Sequence, residues 1–149
     1  MNNFGDLRQL AEDKLFGERY DQALALYTRL VELRPEDLDA RMRVGDALMA
    51  RGSVQEAAVI YTKLAQHAAR AGYPLRALVA LKVLSSLEPQ LGVLLEDVAR
   101  LYASDSGLIG RGVRRSPPDP AQPLPEDWTG PELPVEGLTE RALAVAGQY

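Results

Sequence analysis

GERYDQALALYTRLVELRP, residues 17–35, places Ala23, Leu26, Tyr27, Leu30 and Leu33 at three- and four-residue steps. That spacing is the period of a helix with one apolar stripe. Pro35 has no amide hydrogen to continue the ladder and stops the helix. The pattern returns further along the chain: Ala23 maps to Ala57, Tyr27 to Tyr61 and Leu30 to Leu64. Upstream, Leu10 maps to Val44 and Ala11 to Gly45 in the same register. The small residues at 11, 23, 45 and 57 allow the two helices of a hairpin to approach. The large ones at 27, 30, 61 and 64 fill the space to the next hairpin. Units that recur at this interval bury their apolar faces by stacking on one another.

Working outward, helix 1 is expected from about Asp6 to Phe16, with Leu7, Leu10, Ala11 and Leu15 on its stripe. Asp6 is read as its N-cap and Gly17 as a left-handed C-terminal residue. Helix 3 follows Asp37 and ends by Gly52, with Leu38, Val44, Gly45, Leu48 and Met49 inward. Helix 4 opens with Ser53-Val54-Gln55-Glu56, which reads as a capping box. Its stripe is Ala57, Ile60, Tyr61, Leu64, Ala65 and Ala68, and Gly72 ends it. Pro74 can open helix 5, because the first turn has no use for its missing N–H. Helix 5 is apolar on more than one face, through Ala77, Leu78, Val79, Leu81, Val83, Leu84 and Leu87, so neighbours should sandwich it. Pro89 ends it, and Leu91, Leu94, Leu95, Val98, Leu101 and Tyr102 read as a sixth helix. The fold class is all-α: a solenoid of about three antiparallel helical hairpins over residues 4–103.

Residues 104–149 differ. They hold seven of the ten prolines. Such a segment cannot bury enough apolar surface to offset its ordering entropy, so a mostly disordered tail is expected. Thr139 to Ala146 has the pattern of a short capped helix suited to covering the apolar end of the stack. The only tryptophan, Trp128, lies with Leu124 and Leu133 among acidic residues and prolines. These three form a candidate docking tail, for a partner or for the domain's own groove. The repeat core is expected to survive without the tail.

The bulk numbers exclude several classes. The chain has 149 residues, which fits one domain. A net charge of −4 argues against non-specific nucleic-acid binding, which draws its affinity from phosphate neutralisation. There is no cysteine, hence no disulfide, thiolate metal site or thiol nucleophile. No apolar run approaches the roughly 20 residues that span a bilayer. The start, MNNFGDLRQLAEDK, lacks the pattern of a signal peptide, and the default compartment is the cytoplasm. No cofactor is implied.

The residues that carry the period resemble a known family. Gly17 to Leu24, continuing through Leu33-Arg34-Pro35, resembles the second half of a tetratricopeptide repeat. Val44-Gly45-Asp46 through Gly52 to Ala57 resembles the centre of the next. Gly72 to Ala77, through Leu87-Glu88-Pro89, looks like a third second half. It follows the second by less than a full period, so helix 4 serves two repeats or the third hairpin has drifted. The run from Leu64 to Leu78 also resembles tetratricopeptide segments at the start of bacterial multidomain proteins. Some of those continue into a cyclic-nucleotide-binding domain, although no such domain is visible here. That resemblance implies a regulatory module of a signalling protein. The broader one implies a scaffold or adaptor that binds a partner protein or peptide and has no catalytic residues.

The family pattern puts the concave binding face on Arg8, Gln9, Glu12, Leu15 and Phe16, and on Met42, Arg43, Asp46, Met49 and Ala50. It implies that Arg8 and Arg43 meet a carboxylate, and Phe16 and Met49 an apolar side chain. Glu12 and Arg43 replace the asparagines of the carboxylate clamp found in the chaperone-binding subclass, which argues against that ligand. His67, the sole histidine, lacks the neighbouring groups a base or metal site needs. The glycine-rich run 107–112 has no P-loop lysine and reads as a linker. Arg111, Arg114 and Arg115 before Ser116-Pro117 suggest a kinase target or a small anionic contact in that linker.

Overall fold

The first five apolar stripes each become one helix in the computed structural model: α1 (Phe4–Phe16), α2 (Tyr20–Leu33), α3 (Leu38–Ala50), α4 (Val54–Ala71) and α5 (Pro74–Leu87). A sixth, α6 (Leu138–Ala146), lies near the end of the chain. The structure describes residues 2–87, 118–126, 128, 130 and 134–149. Short connections join α1 to α5 and make neighbours antiparallel. Each of these helices packs on the next.

The sequence period holds at the level of elements. The start of α1 maps to the start of α3, and the start of α2 to that of α4, by the same shift that maps Tyr27 to Tyr61. It then drifts: α4 runs for 18 residues against 14 in α2, and α5 starts later than one period after α3. α4 packs on both α3 and α5, so it closes the second hairpin and meets the next helix.

The matched positions face inward. Ala11, Ala23, Tyr27, Leu30, Val44, Gly45, Ala57, Tyr61 and Leu64 are all buried, and Leu10 is half-buried. The close approach is tightest at Gly45, where an added Cβ would stand 2.7 Å from the Tyr61 ring. Helix α2 is buried on more than its predicted stripe. Leu24, Ala25, Thr28 and Val31 are covered as well.

Helix ends depart from expectation in three places. Asn3, not Asp6, caps α1: its side chain accepts from the Asp6 N–H at 2.8 Å. Asp6 closes the box from the third position by accepting from the Asn3 N–H at 3.3 Å. Gly17 has φ −82° and the left-handed residue is Glu18, at φ 62°. Ser53 caps α4 by position but makes no side-chain capping bond.

The described residues after 117 lie against the repeats. The Phe4 and Gly5 amides donate to the carbonyls of Gln122 (3.1 Å) and Pro120 (2.8 Å), and the Leu124 amide donates to Asn2. α6 starts one residue before its expected position and packs chiefly on α2, and also on α3 and α4. Its place is therefore over the first two hairpins rather than on the end of the stack. The expected sixth helix at 91–102, the glycine-rich run, the arginines at 111–115 and Leu133 lie outside the described residues, as does much of the expected disordered stretch. Among the described residues, no helix is long and apolar enough to cross a membrane.

Candidate functional site

The first helices of the hairpins carry the residues expected to bind a partner. Arg8, half-buried on α1, forms an ion pair with Asp37. Asp37 also caps α3, accepting from the Ala40 N–H at 3.0 Å. One buried carboxylate thus fixes the start of α3 and holds a cation of α1 beside it. Arg43 pairs with Asp46 one turn on, at 3.4 Å, and Asp46 also accepts from the Tyr61 hydroxyl. Burial and the bond to Asp46 push the Tyr61 phenol above its ordinary value.

Tyr27 lies among the same charges. Burial pushes its phenol up to about 12, with Arg43, Glu12, Arg8 and Asp46 each contributing to the local field. The structure therefore gathers Arg8 and Glu12 of α1 with Arg43 and Asp46 of α3 around one buried tyrosine. The two arginines are already satisfied, so a partner carboxylate would compete with Asp37 or Asp46 for them.

The remaining expected groove residues divide. Gln9 is exposed and bonds to Asp13. Phe16 is 75% exposed at the end of α1. Leu15 and Met49 are half-buried against the core, and Ala50 is exposed. Met42 belongs to a pocket of about 320 Å³ between α3 and α5, lined by Leu38, Asp39, Met42, Leu64, Leu75, Arg76 and Val79. Asp39 and Arg76 form an ion pair at its edge. Leu75 and Val79 are 63% and 56% exposed, although Val79 was expected on a helix sandwiched between neighbours. Of the pocket's lining, Met42 alone was expected on the binding face, whereas Leu38, Leu64 and Val79 were read as stripe residues. The usable signal was that α5 is apolar all round, which leaves one face to be filled.

The tail makes its own contacts. Trp128 and Leu124 are half-buried against the core, and the Arg29 guanidinium lies 5.2 Å from the Trp128 ring. Arg34, at the end of α2, stacks 3.6 Å over Phe4 and donates to Gln122 at 2.7 Å and to the Asp119 carbonyl. His67 stacks on Tyr149, centroids 4.1 Å apart.

Residues 8–74 match the family model described as tetratricopeptide repeat. The match runs from within α1 to the start of α5 and takes in both hairpins read from the recurrence. No curated protein and no solved structure matches the chain. Repeats of this family generally mediate protein–protein interaction and are non-catalytic.

Proposed function

We propose that this protein is an interaction scaffold whose α1–α3–α5 face holds a segment of a partner protein. The observation that carries the reading is the open apolar pocket between α3 and α5. Its volume, about 320 Å³, is at the lower end of the usual range for ligand pockets. A large apolar side chain of the partner fills it and covers Leu75 and Val79. The Asp39–Arg76 pair at the rim selects for polar flanking groups. Toward α1, the paired arginines and exposed Phe16 continue the surface, with Arg8 and Arg43 available to a carboxylate that displaces an internal partner.

Peptides selected from a displayed library on the full chain test this. Val79→Asp and Leu75→Asp each put a carboxylate into the pocket and should weaken the selected peptides by at least about tenfold. Gln66→Glu, on the exposed side of α4, should leave them unchanged. Equal binding to all three variants would remove the pocket from the function.

A further inference from the structure

α6 differs from the five repeat helices in how it is held. The whole of segment 88–137 separates it from α5, whereas only short turns separate the others. Contacts to α2, α3 and α4 hold it against the repeats.

Those contacts resemble the recognition of a peptide. Leu138, Ala142 and Ala146 are buried along one edge at four-residue spacing. Small side chains bring the α6 backbone close to the repeats. The specific part is polar. Arg141 donates to both carboxylate oxygens of Glu32 on α2, at 2.7 and 2.9 Å. This two-point geometry is directional in a way a single charge contact is not.

Arg41 of α3 is buried, at 2% exposure. It donates to the carbonyls of Ala146 (3.0 Å) and Gln148. A helix C-terminus carries unmatched carbonyls and partial negative charge. The repeats thus present an acid to the side of α6 and a buried cation to its end. Tyr149 lies over that cation, 4.0 Å from the guanidinium.

We propose that the groove over α2, α3 and α4 is a helix-binding site whose ligand is the chain's own segment 134–149, read by Glu32 and Arg41. The segment leaves as a unit while the repeats stay folded. Neither Glu32 nor Arg41 lines the pocket between α3 and α5, and the proposal stands independently of the function proposed for that pocket.

Hydrogen exchange on the full chain gives the first test. Amides of 138–146 should exchange at least about 100-fold faster than those buried in α2–α4, as expected of a local opening. Arg141→Glu should speed them about tenfold further. A labelled synthetic peptide of residues 134–149 should then bind the Arg141→Glu chain in trans and fail to bind a chain carrying Glu32→Arg alone, in which Arg141 is likewise repelled. A peptide carrying Arg141→Glu should reverse that preference. Exchange of 138–146 in step with α2–α4 would overturn the proposal, as would peptide binding indifferent to the charge at 32. A concentration-dependent dimer would overturn the intramolecular assignment by showing that α6 enters a second copy. Both exchanged side chains are partly exposed, so the variants should fold, and the exchange of α2–α4 reports directly whether they do.

Discussion

Gly45 and Glu18 show what a repeat tolerates at one position. A Cβ on Gly45 would overlap the Tyr61 ring, and that ring is pinned by its bond to Asp46. Gly45→Ala would ordinarily gain about 0.4–1 kcal/mol by restricting the unfolded chain. Here overpacking should cost about 1–3 kcal/mol and win. Denaturant unfolding should show a net loss of stability. Glu18 is the reverse case. It adopts the left-handed conformation that Gly52 adopts at the same place in the next repeat, at φ 62° against 93°. A side chain there costs roughly 1–2 kcal/mol that glycine avoids. Glu18→Gly should therefore stabilise the protein by about 1 kcal/mol, less whatever the freer unfolded chain takes back. The small–large pairing at these positions was legible from the period. The left-handed Glu18 was not, because glutamate carries no turn signal and the adjacent Gly17 does. The cap on α1 was misread for a similar reason: Asn3 and Asp6 are both capping residue types, and the box they form uses aspartate where glutamate is the familiar partner.

Among the elements, α1 to α5 were readable because each carries apolar residues at helical spacing and has a stop at its end. The second buried side of α2 was not readable. Leu24, Ala25, Thr28 and Val31 are covered, α2 also packs on chain from the far end of the sequence, and periodicity along a helix carries no information about such a contact. The pocket was hidden by the same limit, since it forms between α3 and α5. The contact between α2 and α6 also has a pH dependence with a definite sign. Burial alone would raise the Glu32 carboxyl, but the bonds and charges of Arg141 and Arg29 outweigh it and hold it below its ordinary 4.5. A depressed carboxylate contributes above its unfolded value and loses that contribution as pH falls through its folded value. Exchange protection of α6 should weaken as the medium is acidified below about 4.5. Glu32→Gln should flatten that dependence and lower the protection at neutral pH.

At the scale of the whole molecule, two surfaces of the stack differ. On one, α5 leaves Leu75 and Val79 exposed beside the pocket it forms with α3. On the other, α6 packs chiefly on α2, and also on α3 and α4. Here α6 and residues 118–126 and 128 cover part of the repeats, through arginines at 29, 34 and 41 that each meet the tail. Trp128, the sole tryptophan, sits on Arg29, and none of the six helices contains another. Its indole emission therefore follows the tail, while far-ultraviolet ellipticity follows the repeats. A melt recorded in both signals would resolve two midpoints, and the distance between them would measure how loosely the strap is fastened.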